Sequence, residues 1–258
     1  MDAGNSTRTA VSRIPGHFEL NVAAITEAVA ASHPDRDCLI FRDRRLSWAE
    51  VSDRTRRLAL VLHAAGVGPT ASFGAVDRHE SVHDHVALYL HNGNEYLEGM
   101  VGAWKARCAP FNVNYRYVAE ELRYLLDDSG ARVVIVHECF AATLSEVVAT
   151  LASAPSLILQ VADGSGHDLV PGAVDYEAAL AAVAPAGTPV ELPHDLIDGW
   201  SGDDLYLCYT GGTTGMPKGA MWRQEDFLIA ALGVRRRDGT DFDSMEEILA
   251  GAQKGSLR

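Results

Sequence analysis

Between residues 86 and 161 the chain passes repeatedly from short apolar runs to amphipathic stretches and back, and this alternation restricts the fold more than any other feature. Residues 86–90 (VALYL) read as a strand. Residues 94–106 read as a helix that turns Leu97, Met100, Val101 and Trp104 toward a core. Residues 109–113 form a short strand, residues 118–128 a helix closed by Ser129 and Gly130, and residues 132–136 and 157–161 two further strands. Helices recurring between strands predict an α/β fold with parallel-rich sheets flanked by helices.

Upstream, residues 1–18 read as a polar tail. Ser47-Trp48-Ala49-Glu50 is a capping box, in which serine and glutamate each accept from the other's backbone N–H. The helix it opens places Trp48, Val51, Leu58 and Leu62 on one face and Asp53, Arg54 and Arg57 off it, and Gly66 stops it. Residues 69–84 look like a surface insertion. Residues 185–202, containing proline and glycine, separate this region from the next. The expected organisation is a tail (1–18), a first α/β unit (19–200) and the start of a second unit (201–258). Near the end, residues 235–237 (RRR) suit a solvated loop, and residues 244–250 one more helix closed by Gly251 or Gly255.

The segment 209–219, YTGGTTGMPKG, carries the chemistry. It follows residues 204–209 (DLYLCY), an apolar run that suits a strand buried on both faces. Glycines at 211, 212 and 215 let backbone N–H groups approach an anion. The hydroxyls of Thr210, Thr213 and Thr214 donate to phosphate oxygens, and Lys218 adds a mobile positive charge. A Walker A loop needs Gly-Lys followed by Ser or Thr, and here Pro217 precedes Lys218. The plainer readings are a Gly/Thr-rich turn between strands, a solvated Lys218, and a Trp222 that packs in a core rather than lining a ligand pocket.

Composition excludes some classes. A formal net charge of -13 does not suit a general nucleic-acid binder. Cys38, Cys108, Cys139 and Cys208 make no CxxC pair and suit a reducing, cytoplasmic setting. The first residues lack the apolar stretch of a secretory signal, and no run has the length of a membrane span. His79-Glu80-Ser81-Val82-His83 matches HExxH, a zinc-peptidase pattern that works only on a helix. A strand starting at residue 86 leaves no room for that helix, so no zinc is expected there.

The 209–219 segment resembles the signature loop of the adenylate-forming enzymes, Tyr/Phe-Thr-Ser/Gly-Gly-Thr-Thr-Gly-x-Pro-Lys-Gly, at every position. Residues 46–50 (LSWAE) and 88–118 resemble upstream segments of acyl-CoA synthetases. Residues 221–226 (MWRQED) are similar to an actinobacterial group acting on fatty acids and steroid side chains. The resemblance implies the N-terminal part of an ATP-dependent acyl-CoA ligase. Such enzymes use Mg²⁺ and ATP to adenylate a carboxylic acid, releasing pyrophosphate, and coenzyme A then displaces AMP. It implies that Thr210, Gly211, Gly212, Thr213, Thr214, Gly215 and Lys218 hold the β- and γ-phosphates. It also implies that the metal-ligating Glu, the ribose-binding Asp and the catalytic Lys come from later sequence, so residues 1–258 are expected not to turn over alone. A split-enzyme half, a homo-oligomer and a non-catalytic partner-binding module of the same fold are the alternatives, with a zinc peptidase at His79, Glu80 and His83 a remote one.

Overall fold

A computed structural model describes residues 18–72, 75–77, 80–212 and 215–253. In chain order its elements are α1 (Val22–Ser32), β1 (Asp37–Phe41), β2 (Arg44–Ser47), α2 (Trp48–Ala64), β3 (His85–Tyr89), α3 (Asn94–Lys105), β4 (Ala109–Asn112), α4 (Ala119–Ser129), β5 (Val133–His137), α5 (Ala141–Val148), β6 (Leu157–Val161), β7 (Val174–Asp175), α6 (Tyr176–Val183), α7 (His194–Gly199), β8 (Leu205–Gly212), β9 (Gly215–Arg223), α8 (Gln224–Asp226) and α9 (Met245–Gln253). The predicted strands and helices between residues 86 and 161 all form, with ends shifted by a residue or so.

The central sheet is parallel throughout, in the order β4-β3-β5-β6-β7. After β4 the chain crosses to the other side of β3, which makes the sheet doubly wound. Alternate side chains of each strand enter different cores, as the two-residue period requires. Val86, Leu88, Val133, Ile135 and Leu159 pack with Leu58, Leu62 and Trp104 from α2 and α3. Ala87, Tyr89, Val134, Val136 and Ile158 pack with Leu122, Leu125 and Leu144 from α4 and α5. Helices therefore cover both faces, which explains why these strands are unbroken apolar runs.

Local signals explain most of the helix ends. Both hydrogen bonds of the Ser47/Glu50 capping box form. Gly130 ends α4 in the left-handed region at φ 57°, where glycine carries no Cβ penalty. Two side-chain placements differ from expectation. Leu97 is exposed. Arg57, expected off the apolar face, is buried because its guanidinium donates to the carbonyl oxygens of Ala184 at 2.7 Å and Thr188 at 2.9 Å. Those bonds hold the 185–190 connection against α2. The helix near the end continues through Gly251 rather than stopping there. Arg235 pairs with Asp241, and Arg236 with Asp243 and Glu247, so that loop is crosslinked by charge.

Candidate functional site

Strands β8 and β9 pair with each other, antiparallel, and form a two-stranded sheet of their own. The expected burial of β8 on both faces is not met. Leu205 and Leu207 are buried, while Tyr206, Cys208 and Tyr209 are partly exposed. Leu205 and Leu207 join the core on the α4 and α5 side of the parallel sheet, Tyr206 packs on Trp104 at the other core, and Tyr209 lies against Phe111 of β4, so the ribbon sits beside the edge strand with its side chains only partly covered.

The ribbon's far end carries the candidate phosphate loop. Thr210 stands directly opposite Lys218, and Gly212 opposite Gly215, with a register irregularity between Thr210 and Gly212. Thr210, Gly211, Gly215 and Lys218 are all exposed. A Cβ added at Gly211 would meet nothing within 4 Å, so its backbone is open to a ligand. Gly215 has φ 137°, a conformation that side-chain-bearing residues rarely adopt. Lys218 makes no ion pair with any described residue, which leaves its ammonium available. Thr213 and Thr214 lie outside the described residues. Pro217 is buried and Trp222 is half-exposed, so Trp222 is not the core residue that its position near a strand end suggests.

The near end of the ribbon is clamped. Asp204 is 1% exposed and accepts from five groups. These are Asn21 Nδ2 at 3.3 Å, Ser201 N–H at 3.2 Å, His83 Nε2 at 3.0 Å, and Arg107 Nε at 3.3 Å and Nη2 at 3.1 Å. Burial pushes the Asp204 carboxyl upward, and the Arg107 guanidinium and these hydrogen bonds pull against it. His83 is pushed down to about 3 by burial and by Arg107, so it is neutral at pH 7 and donates its Nε2–H. Further along, Trp104 Nε1 donates to the Leu205 carbonyl at 3.2 Å, and Tyr209 Oη donates to Asp128 at 2.9 Å. At the base, Arg223 pairs with Asp203 at 2.6 Å and with Glu225 at 3.2 Å.

Sequence reasoning did not find this clamp. Asn21, His83, Arg107 and Asp204 are far apart in the chain, and nothing local marks them as partners. The HExxH match gave His83 a different part. His79 lies outside the described residues, but residues 81–84 are not helical, and His83 Nε2 is engaged with Asp204. Among the described residues no three His, Cys, Asp or Glu side chains converge on a metal-sized space. The 69–84 segment is also less superficial than expected. Thr70 N–H donates to Val82 O at 2.8 Å, and Val82 and His83 are buried.

The ribbon is clamped at its base and presents open glycine backbone and the Lys218 ammonium at its tip. Residues 26–250 match the AMP-binding enzyme family. This chain belongs to that family. Among its AMP-binding relatives, the medium-chain acyl-CoA ligase Mig of Mycobacterium avium is 46% identical over 235 residues, covering 91% of this chain and 41% of the relative. A medium/long-chain-fatty-acid–CoA/3-oxocholest-4-en-26-oate–CoA ligase of Mycobacterium marinum is 38% identical over 232 residues, covering 89% and 38%. The chain thus spans about two fifths of the length of these curated relatives. The anthranilate CoA ligase AuaEII, solved with anthranoyl-AMP, superposes with a TM-score of 0.64 at 22% identity over 83% of this chain and 37% of that one, which shows a shared fold. No helix of the described residues is long and apolar enough to cross a membrane.

Proposed function

We propose that this chain supplies the first part of an ATP-dependent acyl-CoA ligase and that its own contribution is to bind the β- and γ-phosphates of ATP. The observation that carries the reading is the register pairing of Thr210 with Lys218 at the open tip of the β8–β9 ribbon. Hydroxyl, ammonium and the backbone N–H groups near Gly211, Gly212 and Gly215 would surround a pyrophosphate, with Thr213 and Thr214 completing the set. Such a cradle neutralises the departing pyrophosphate, and fixed donors aimed at developing charge are a large part of catalysis in reactions of this kind. The loop segment 209–219 contains no carboxylate, so Mg²⁺ would arrive with the nucleotide phosphates rather than on a site of its own here.

The names of the relatives support a medium-chain, long-chain or steroid-side-chain acid as substrate, with coenzyme A as acceptor. A division into 19–200 and 201–258 is part of the same reading, and the change from parallel sheet to antiparallel ribbon supports it. A cytoplasmic setting, where ATP and coenzyme A are abundant, fits the same reading. The ribbon has no third strand among the described residues, and a two-stranded sheet is marginal alone, which supports completion by further sequence or by a partner copy.

Calorimetry at low ionic strength tests the loop. Pyrophosphate and ATP should bind weakly, because a few charge-assisted hydrogen bonds worth roughly 1.5–3 kcal/mol each are offset by ordering. The pair Thr213→Ala and Lys218→Ala should abolish it. Unchanged binding in that double variant would remove the loop from the site. Thioester formation from ATP, coenzyme A and a panel of fatty and steroid-chain acids should be absent for residues 1–258 alone.

A further inference from the structure

The clamp at Asp204 holds the base of the ribbon, and the candidate phosphate loop is at the other end. Between Asp204 and Tyr209 the extended backbone of β8 covers roughly 16 Å, at about 3.3 Å per residue. Among the described residues β8 and β9 pair only with each other, and the register slips between Thr210 and Gly212. Hydrogen bonds within the ribbon therefore do not fix where its tip sits against the rest of the molecule.

Tyr209 supplies that link. It stands immediately before Thr210, and its partner across the ribbon, Gly219, immediately follows Lys218, so Thr210 opposite Lys218 is the next rung. Its ring centroid is 5.3 Å from that of Phe111 in β4, the edge strand of the parallel sheet. The ring also lies against the Gly219 backbone, where an added Cβ would stand 2.8 Å from Tyr209 Cζ and 3.1 Å from the hydroxyl oxygen. The hydroxyl donates to Asp128 Oδ2 at 2.9 Å. Among the described residues this is the hydrogen bond nearest the tip that joins the ribbon to another element.

Asp128 gains nothing from its own helix. It is the second-to-last residue of α4, whose last turn holds no basic residue, and a negative charge there opposes the helix dipole. Neighbouring Asp127 accepts from the Ala152 N–H at 3.0 Å and lies 3.8 Å from Arg123, whereas the partner of Asp128 is the Tyr209 hydroxyl. Burial and the Asp128 carboxylate push that hydroxyl upward, so it keeps its proton and stays a donor across the ordinary pH range. The adenylate-forming pattern takes tyrosine or phenylalanine at this position, so the tether belongs to this chain and not to the loop type.

We propose that Tyr209 and Asp128 are positioning residues for the phosphate loop: their hydrogen bond fixes the tip of the ribbon against the end of α4 and keeps the Thr210 hydroxyl and the Lys218 ammonium directed at one anion. The role rests on the phosphate binding proposed for the loop. It uses a carboxylate, a charge of the wrong sign beside an anion site, as a hydrogen-bond acceptor. Charge and acceptor can be separated, because asparagine keeps the acceptor and removes the charge.

Calorimetric titration of inorganic pyrophosphate into the full 258-residue chain at low ionic strength tests this. Tyr209→Phe and Asp128→Ala should each weaken binding by roughly three- to tenfold, the worth of one hydrogen bond. The double variant should be no weaker than the weaker single one, because both remove the same bond. Asp128→Asn should bind at least as tightly as the unaltered chain, since it retains the acceptor and drops a negative charge near the anion. The melting temperature of Asp128→Ala should change little, because the lost bond is offset by removal of an unfavourable charge from the end of α4, so lost affinity there is not lost fold. Unaltered affinity in Tyr209→Phe, or equal affinity in Asp128→Ala and Asp128→Asn, would overturn the positioning role and leave the loop as the site. Binding that survives Thr213→Ala with Lys218→Ala, or no binding by the unaltered chain, would remove the loop as the site and this role with it.

Discussion

Gly102 of α3 and Leu58 of α2 mark the closest approach of the two helices: a Cβ added at Gly102 would stand 2.6 Å from Leu58 Cδ2 and 2.9 Å from Leu58 Cβ. The second of those atoms cannot rotate away, so an added methyl must separate the helices. Gly102→Ala gains roughly 1 kcal/mol of helix propensity at most and loses about 1–3 kcal/mol to overpacking. The expected outcome is a lower urea midpoint. In a Leu58→Ala background the same substitution should cost less, by about 1 kcal/mol or more, which a double-mutant cycle reads directly. Equal cost in both backgrounds would mean that the contact is relieved elsewhere.

Acid should weaken the fold through His83. Its value is pushed from 6.5 to about 3 on folding, so the unfolded chain binds the extra proton first. The stability is complete above pH 6.5 and is lost as pH falls toward 3. By pH 5 the loss from this group is about 2 kcal/mol. His85 and His137 are also pushed down by burial and act in the same direction. Urea midpoints measured at pH 7.5 and pH 5 should differ, and His83→Phe should reduce the difference. A pH dependence identical in that variant would show that His83 is not the group responsible.

Lys105 is wholly buried and depends on Glu27. Its ammonium pairs with that carboxylate and also donates to Thr55 Oγ1 at 2.7 Å, and burial pulls it down to about 8. Glu27→Gln would leave the ammonium beside neutral groups only, the Ser52 and Thr55 hydroxyls and the Ser52 carbonyl. Removing one partner of a buried pair costs about 3–5 kcal/mol, so thermal unfolding should occur at a much lower temperature. Adding Lys105→Met to Glu27→Gln should recover part of the loss, because an apolar side chain of similar length removes the stranded charge.

The ribbon can be tested at Gly219, which faces Tyr209 across the two strands. A Cβ there would lie 2.8 Å from Tyr209 Cζ, so Gly219→Ala should displace the ring and break its bond to Asp128. The expected effect is a loss of about 1 kcal/mol from the hydrogen bond plus the strain of repacking. Amide hydrogen exchange in β8 and β9 should rise selectively. Protection unchanged relative to β3 and β5 would show that the Tyr209–Asp128 contact does not hold the ribbon.

The central sheet was legible because a strand covered on both faces must be apolar at nearly every position, and residues 86–90, 133–136 and 157–161 are. The helix ends were legible where a local device fixes them, as at Ser47, Glu50 and Gly130. Strands β1 and β2 were missed because their arginines and aspartates answer to an exposed hairpin rather than to a core. The Gly/Thr-rich tip of the ribbon was legible as a feature from its residue types alone. Its clamp was not: His83 and Asp204 meet across 121 positions, and Arg54 of α2 grips the fully buried Glu98 at 2.7 Å with Tyr176 at its other side. A polar residue in an apolar stretch signals some buried partner, and only the fold says which.

The pairing of Leu20 with Leu228, Phe242 and Ile248 bears on the order in which the molecule assembles. Strands β3 to β6 lie within one contiguous stretch and can close as soon as residue 161 is available. The helix at residues 22–32 cannot dock fully until residues near 248 have been translated. At synthesis rates of about 5–20 residues per second that delay is roughly ten to forty seconds. The apolar side of this helix that faces Leu228, Phe242 and Ile248 is therefore covered later than the side that meets α2 and α3, and it is a stretch that a nascent-chain chaperone or a protease can meet in the interval.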